Sequence, residues 1–449
     1  MDRLVQLFER ALMPIAGKIA GQKHLQAIRD GIVLTTPLLI VGSLCLVIGF
    51  IPIDGYDDFM KGIFGELWRT KLLYPVGATF DIMALIASFG VAYRLAEKYK
   101  VDPLSAASIS VASFLLVTPY NTMFTPPGTE TAIQVSGVIP VTLMGSQGLF
   151  VAMIMALLST EIFRIVIQKD IVVKMPPGVP PAVAKSFVAL IPAFIVLGAC
   201  WFIRLIMEAT TFESVHNIVK TLLGVPLQAL GSSFAGALIA VILIHLLWAC
   251  GLHGANLVGS VMSPIWLTLM DANRAVYMSN PNAELPNVIT SQFFDLWLYI
   301  GGSGTTLAMV VAMAFLAKSQ QMKSLGRLSL APGLFNINEP VIFGMPIVMN
   351  PLLIIPFVIT PVVLLCVSYF AMSTGLVARP SGISVPWTTP LLISGYLATG
   401  AKASGLILQL INFILAFAIY YPFFRLWDRQ KCKEEQEATK NQAVNTLQA

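Results

Sequence analysis

The chain has 449 residues, of which 56% are hydrophobic and only 11% are charged. A soluble domain carries roughly 25% charged residues, so this composition excludes an ordinary soluble protein and predicts a polytopic membrane protein. Most of the basic residues behind the net charge of +5 lie at the N-terminus, in short loops and near the C-terminus. They indicate membrane topology and not nucleic-acid binding. The five cysteines have no CxxC spacing, so neither disulfides nor a metal site is expected.

The N-terminal element, residues 1–30, is predicted to be an interfacial amphipathic segment. Basic side chains alternate with apolar ones in residues 1–22, a pattern typical of a helix lying on the inner membrane surface. A signal peptide would have its apolar core nearer the start and a small-residue cleavage site.

About ten apolar stretches that can cross a bilayer follow along the chain. They lie near residues 31–53, 76–95, 103–119, 147–167, 186–206, 234–250, 298–316, 351–370, 390–406 and 408–424. Basic residues cluster after alternate stretches, whereas the loop 120–146 has one acid and no base. The positive-inside rule therefore predicts an even number of spans with both termini cytoplasmic.

Two further apolar segments are interrupted by Gly, Pro and Asn, and these are predicted to be re-entrant hairpins. They are residues 251–266 and 332–350. Non-helical backbone is tolerated at membrane depth only where it is buried in protein or lines a wet cavity. The predicted fold class is thus all-α integral membrane, with about ten transmembrane helices, two re-entrant hairpins and interfacial amphipathic helices.

The predicted organisation after residue 30 has four parts. They are a first transmembrane half (31–206), an amphipathic linker (207–230), a second transmembrane half (231–427) and a polar tail (428–449).

Two fifty-residue stretches contain the candidate chemistry. Residues 221–270 have no Asp, Glu, Lys or Arg but include His245 and His253, and residues 328–377 have a single charge, Glu339. An ionisable group is costly inside hydrocarbon, so a lone acid in such a run is a functional-site candidate.

Glu339 lies in the sequence NINEP, residues 336–340. Pro340 suits the first turn of a half-helix, which would put Asn338 or Glu339 at its N-cap. The carboxylate would then either satisfy backbone N–H groups or face a cavity. Together with the neighbouring amides it would bind sugar hydroxyls there, because these groups offer strong acceptors and paired donors.

His253 lies in the sequence GLHG, with Asn256 close behind. The glycines permit close backbone approach, and an imidazole exchanges protons near neutral pH; a hydrogen-bonded core histidine is the alternative. His245, on a continuous apolar helix, is expected to be such a core residue.

Trp387 is interpreted either as a platform for a sugar ring or as an interfacial tryptophan. The sequence GGSG at residues 301–304 favours close helix packing, and Asp295 before it is interpreted as an interfacial acid.

A family resemblance rests on residues 333–346, GLFNINEPVIFGMP. They closely resemble the signature of membrane-embedded permease subunits of the bacterial phosphoenolpyruvate-dependent phosphotransferase system, in the lactose/cellobiose/diacetylchitobiose branch. The supporting matches are residues 26–31 (QAIRDG), 174–181 (KMPPGVPP), 251–254 (GLHG) and 301–305 (GGSGT).

The resemblance implies a homodimer in the bacterial plasma membrane. Its first half would be mostly scaffold, and its second half would hold a sugar between two re-entrant hairpins and move as a rigid body, as in an elevator. His253 and Glu339 match family residues that lie near the sugar's 6-hydroxyl, and Asn338 and Trp387 match sugar-contact positions. Asn256 is included only as a neighbour of the histidine motif.

The implied phosphoryl donor is a phosphocysteine on a separate B subunit, itself charged by an A subunit. This chain lacks the cysteine loop of a B domain, so the resemblance implies the C component alone, with no cofactor and no phosphorylated residue of its own. The substrate would be a β-linked disaccharide such as cellobiose or diacetylchitobiose.

Two other functional classes remain open at this point. One is a proton-coupled sugar symporter in which Glu339 and His253 form a relay. The other is a non-transporting sensor or structural membrane protein, which the cost of an isolated buried Glu339 disfavours. No Walker A pattern, zinc spacing or nucleophile elbow occurs, so the energy for transport must come from an ion gradient or a partner.

Overall fold

The computed structural model describes residues 18, 21–51, 53, 55–126, 131–176, 178–345, 347 and 350–448. Most of the amphipathic helix predicted over residues 1–22 lies outside these described residues. The chain divides into two compact units. The N-terminal unit comprises Ile19–Leu230 and Gly259–Asp271, and the C-terminal unit includes Gly231–Val258 and Ala272–Ala449.

The described residues of the N-terminal unit are mostly helical. Its helices before the first strand are α1 Lys23–Ile32, α2 Thr36–Gly49, α3 Tyr56–Phe64, α4 Trp68–Leu72, α5 Tyr74–Gly77, α6 Met83–Tyr99 and α7 Pro103–Val117. Those after the second strand are α8 Val141–Met144, α9 Leu149–Gln168, α10 Pro181–Val188, α11 Leu190–Glu208, α12 Val215–Val219 and, at the boundary of the units, α13 Val225–Ser232.

Small residues allow the N-terminal helices to pack closely. A Cβ on Gly31 of α1 would lie 2.4 Å from the backbone nitrogen of Val91, and one on Gly90 of α6 would lie 2.6 Å from the Gly31 carbonyl oxygen. The two backbones therefore touch, which only small residues permit.

A β-hairpin occupies part of the loop 120–146. Strands β1 Asn121–Phe124 and β2 Ile133–Ser136 pair antiparallel, with Asn121 opposite Ser136. The all-α prediction missed this hairpin because four-residue strands give too short a pattern to recognise.

The C-terminal unit contains the remaining helices. They are α14 Phe234–Ala249, α15 Gly254–Ser279 (which runs through residues of both units), α16 Ser291–Phe293, α17 Leu307–Leu316, α18 Gln320–Leu334, α19 Glu339–Gly344, α20 Pro351–Ser373, α21 Ile393–Ala398 and α22 Ala403–Gln448. Short 3₁₀ or π-helical turns lie at Val33–Thr35, Ser146–Gly148, Lys220–Gly224 and Phe294–Leu298.

Five helical segments among the described residues are long and apolar enough to cross a membrane, or six if Val215–Ser232 and Phe234–Ala249 count together as one span. The five are Lys23–Gly49, Ser146–Gln168, Val183–Glu208, Leu352–Ser373 and Ala403–Lys440. The structure thus supports a membrane protein without confirming the predicted number of about ten spans.

Several predicted segments differ in the structure. The stretch 298–316 forms an α-helix only over Leu307–Leu316, and the stretch 76–95 is interrupted between Gly77 and Met83. The stretch 390–406 is not one helix, because Gly400 has a φ of 68° and separates α21 from α22. The first predicted hairpin, residues 251–266, is also wrong in form. Its break is confined to the residues around Gly251 (φ 80°), and Gly254–Ser279 then forms one helix that accommodates Pro264.

The second interrupted segment, residues 332–350, is broken as predicted. Helix α18 ends at Leu334, and α19 begins at Glu339 after a short turn. The polar tail predicted from residue 428 continues α22 as helix to Gln448.

Candidate functional site

The C-terminal unit contains a cavity of about 360 Å³, a size typical of small-molecule sites. All of its lining residues belong to this unit. They are Trp248, His253, Ala255, Asn256, Asp295, Tyr299, Gly302, Ser303, Asn336, Asn338, Glu339 and Trp387.

The turn between α18 and α19 presents Glu339. Pro340 lies in the first turn of α19 and Asn338 occupies the N-cap, which confirms the local structure expected from the NINEP sequence. The Asn338 side chain, however, does not cap the helix. Its amide Nδ2 donates instead to the carbonyl oxygen of Ser303 at 2.7 Å, because the glycine loop 301–304 lies close enough to compete for it.

Asn336 connects three segments of the cavity wall. Its φ of 62° is a left-handed conformation that asparagine tolerates better than most residues. Its Oδ1 accepts from the backbone N–H of Gly301 at 2.7 Å, and its Nδ2 donates to the carbonyl oxygen of Trp387 at 2.5 Å. The turn, the glycine loop and the Trp387 segment are therefore held together by one side chain.

The glycine loop was predicted to support close helix packing, but residues 301–304 are not helical and form part of the cavity wall. Gly302 has a φ of 92°, and a Cβ there would lie 2.5 Å from the Asn338 side chain. Gly304 has a φ of 81°, and a Cβ there would lie 2.2 Å from the ring of Phe357. Only glycine fits both the backbone and the space at these two positions.

His253 lies immediately before α15. Its Nδ1 accepts from the backbone N–H of Asn256 at 3.2 Å, so the neutral ring carries its proton on Nε2. The ring also packs on Trp248, with centroids 4.4 Å apart. Gly254 permits this arrangement, because a Cβ on it would lie 1.9 Å from the Ile244 carbonyl oxygen.

All five residues predicted from sequence to bind the substrate lie on this one cavity. They are His253, Asn256, Asn338, Glu339 and Trp387. Glu339, His253 and Asn256 are exposed, whereas Asn338 is buried. His245 does not line the cavity; it is fully buried, as expected of a core histidine.

The residues predicted for the site did not include several polar or aromatic side chains of the cavity wall. Asp295, interpreted as an interfacial acid, lines the cavity together with Tyr299 and Trp248. A signal was available, because Asp295 is the only charged residue in 285–317, just as Glu339 is in its own stretch. The rule that drew attention to Glu339 applies equally to Asp295.

The electrostatic character of the cavity is acidic. Asp295 and Glu339 are its carboxylates, and no Lys or Arg occurs among its described lining residues. The indole N–H of Trp248 and the hydroxyl of Tyr299 are buried and have no hydrogen-bond partner within the described structure. Among all the residues that the structure describes, no group of three or more His, Cys, Asp or Glu is placed to hold a metal ion.

Comparison with known proteins identifies the family. Residues 29–361 match the model of the family "Phosphotransferase system, EIIC". The chain belongs to this family, and it is a sugar-specific membrane permease component of the phosphotransferase system.

Similar proteins cover nearly the full length of the chain. The cellobiose-specific EIIC component of Geobacillus stearothermophilus is 68% identical over 97% of each protein. The lichenan permease IIC component of Bacillus subtilis is 61% identical over 97% of this chain and 96% of that protein. Among solved structures, the transporter ChbC is the IIC component of an N,N′-diacetylchitobiose-specific phosphotransferase system. It matches with a TM-score of 0.92 and 62% identity over 96% of this chain and 99% of that one.

Proposed function

We propose that this permease binds a β-linked disaccharide of the cellobiose or diacetylchitobiose type in the 360 Å³ cavity, carries it across the membrane and presents its 6-hydroxyl for phosphorylation. The observation that carries the proposal is the convergence of five motif residues, from three separate segments, on one cavity wall. The sugars named for the similar permeases support the choice of substrate class.

The chemistry of the wall suits a sugar. Trp387 and Trp248 offer aromatic faces to the apolar faces of sugar rings, and the amides and carboxylates bind hydroxyls. The buried N–H of Trp248 and hydroxyl of Tyr299 lack partners in the described structure, and a polar ligand would satisfy them.

The two predicted catalytic residues take different roles in this proposal. His253 accepts a backbone hydrogen bond on Nδ1, so its neutral ring offers an N–H on Nε2 and orients the sugar oxygen as a donor. Glu339 is then the group that accepts the 6-hydroxyl proton. The sugar oxygen bonds to phosphorus while the phosphorus–sulfur bond of the donor breaks, and the cysteine thiolate leaves.

The donor in this proposal is a phosphocysteine on a separate B subunit, which an A subunit recharges, and no cofactor is required. We propose a homodimer in the bacterial plasma membrane with both termini cytoplasmic. Because the cavity is lined entirely by the C-terminal unit, that unit can carry the sugar as a rigid body, in an elevator-type movement.

A vesicle uptake assay tests the proposal. With phosphoenolpyruvate and the soluble components supplied, we expect Glu339→Gln to abolish phosphorylation-linked uptake while leaving the protein folded. Glu284→Gln is the matched control, because Glu284 is 82% exposed and lies outside this cavity. Wild-type turnover in Glu339→Gln would contradict the role of Glu339.

The same uptake assay distinguishes this function from that of a proton-coupled symporter, in which Glu339 and His253 would relay protons. A symporter accumulates sugar without phosphoenolpyruvate and loses this uptake when an uncoupler is added. The phosphotransferase permease accumulates sugar only as the phosphorylated product, so its uptake requires the soluble components.

A further inference from the structure

We infer that Asp428 and Glu435, on the polar end of α22, are positioning residues for the sugar site. They hold the end of α18 that lies opposite the NINEP turn. This inference rests on the proposed function, because the site that they position is the one proposed to bind sugar.

The first backbone N–H groups of a helix have no partner within the helix and need acceptors from elsewhere. In α18 two carboxylates from α22 supply most of them. Oδ1 of Asp428 accepts from the N–H groups of Lys318 and Ser319 at 3.1 and 3.0 Å. Oε1 of Glu435 accepts from Gln321 N–H at 2.9 Å, and its Oε2 accepts from Gln320 N–H at 3.2 Å.

The Ser319 hydroxyl completes the cap. It donates to Oε1 of Glu435 at 2.7 Å and accepts from the N–H of Met322 at 3.2 Å. Every backbone N–H from residue 318 to residue 322 therefore has an acceptor.

Asp428 differs from an ordinary surface acid. Asp428 is only 2% exposed, and hydrogen bonds to an ionised group are roughly twice as strong as neutral ones. Negative charge is also favoured at a helix N-terminus. By contrast Glu434, the residue next to Glu435, pairs with Lys431 at 2.7 Å, and the hydrogen bonds of the described residues show none from Glu434 to α18.

Helix α18 connects the cap to the cavity, with Pro332 in its last turn. It has 15 residues and is therefore about 22 Å long. At Gly326 a Cβ would lie 2.5 Å from the backbone nitrogen of Ala314, so α18 packs tightly on α17. A close-packed helix has little room to bend, so a shift at its capped end moves its other end.

The other end of α18 presents the groups that build the site. Asn336 and Asn338 follow it directly and form hydrogen bonds of 2.7 Å to the glycine loop. Movement of α18 along its axis would strain these bonds and displace Glu339. Loss of the cap should therefore weaken sugar binding at a distance of about 22 Å.

The test compares two neighbouring glutamates. Glu435→Gln replaces one acceptor oxygen by an NH₂ group facing backbone N–H groups, whereas Glu434→Gln removes only an exposed pair. Calorimetry with cellobiose and diacetylchitobiose on the purified, monodisperse full chain gives the dissociation constant. Unfolding by heat is measured in parallel. We expect the dissociation constant to rise about threefold or more in Glu435→Gln and to stay at the wild-type value in Glu434→Gln.

A lowered unfolding temperature with an unchanged dissociation constant in Glu435→Gln would make the cap purely structural and overturn the inference. If that variant does not yield folded protein, Asp428→Asn is measured instead. It removes the charge and one acceptor oxygen from the bonds to Lys318 and Ser319, so the dissociation constant should again rise above that of Glu434→Gln. Normal uptake in Glu339→Gln would instead contradict the proposed function, so the two failures are distinguishable.

Discussion

The buried imidazole of His245 accepts a hydrogen bond from the backbone N–H of Gly304 at 2.9 Å. Its other nitrogen, Nδ1, donates to the carbonyl oxygen of Val241 at 2.6 Å, so both nitrogens of the neutral ring are satisfied. The hydroxyl of Tyr420 donates to the carbonyl oxygen of Gly304 at 2.6 Å. The backbone of Gly304 is therefore held through both its N–H and its carbonyl, and this fixes the glycine loop on which Asn338 rests.

Removing the His245 acceptor should destabilise the C-terminal unit. In His245→Leu the N–H of Gly304 stays buried without an acceptor, which costs about 1–3 kcal/mol of the free energy of unfolding. His245→Gln keeps an amide oxygen that can accept this hydrogen bond, so it should lower the free energy of unfolding by a smaller amount. Unfolding of the purified variants in detergent checks this order. Equal stability of the two variants would show that the Gly304 N–H finds another acceptor.

A methyl group at Gly302 should damage the site itself. The Cβ of Gly302→Ala would lie 2.5–2.8 Å from three atoms of the Asn338 amide group. We expect Asn338 to lose its bond to Ser303 and the sugar dissociation constant to rise. Gly375→Ala is the matched control, because Gly375 has a similar φ of 79° but no atom within 4 Å of the added Cβ.

Both glycine variants bear the cost of a left-handed backbone, about 1–2 kcal/mol for a residue with a side chain. Only Gly302→Ala adds the collision with Asn338. A sugar dissociation constant that rises equally in both variants would assign the effect to general destabilisation.

The local structure around Glu339 could be predicted because its signals lie within a few residues. Pro340 fixes the start of α19, and Asn338 then occupies the N-cap. The destination of the Asn338 side chain could not be predicted, because its acceptor, Ser303, is 35 residues away. Local propensity does not encode a competition between a helix cap and a distant carbonyl oxygen.

Several larger features also depend on contacts between distant segments. Residues 428–449 were predicted to be a polar tail. In the structure Asp428 and Glu435 bond to α18, and α22 continues as helix through them. Asp295 was interpreted as interfacial because the sequence does not show that it lies on the same cavity as Glu339. Tertiary packing brings the two residues together. Apolar periodicity identifies membrane helices but does not show which faces enclose a cavity.

Trp387 should contribute directly to sugar affinity. Removing an aromatic platform in Trp387→Ala should weaken binding by about 1–2 kcal/mol, or roughly 5- to 30-fold in the dissociation constant. Trp201→Ala is a matched control, since both tryptophans are 51% exposed and Trp201, on α11, is not among the cavity's lining residues. Calorimetric titration with disaccharide measures both. Unchanged affinity in Trp387→Ala would favour the interfacial role.

The acidic cavity should reject the phosphorylated product. Asp295 and Glu339 line it, and no Lys or Arg occurs among the described lining residues to offset their repulsion of a phosphate group. We expect the 6-phosphorylated disaccharide to bind at least about tenfold more weakly than the free sugar, a difference of about 1.4 kcal/mol.

Asp295→Asn tests whether charge causes this difference. It removes a group that can carry negative charge but keeps a polar side chain of similar size, so the difference in affinity between the sugar and the sugar phosphate should narrow. Added salt should narrow it less than the substitution does, because a partly buried charge is poorly screened. If Asp295→Asn left the difference in affinity between sugar and sugar phosphate unchanged, the weaker binding of the phosphate would be steric. The carboxylate would then serve sugar binding alone. If charge does set this difference, phosphorylation itself drives release of the product, because it turns a well-bound neutral sugar into an anion that the same wall repels.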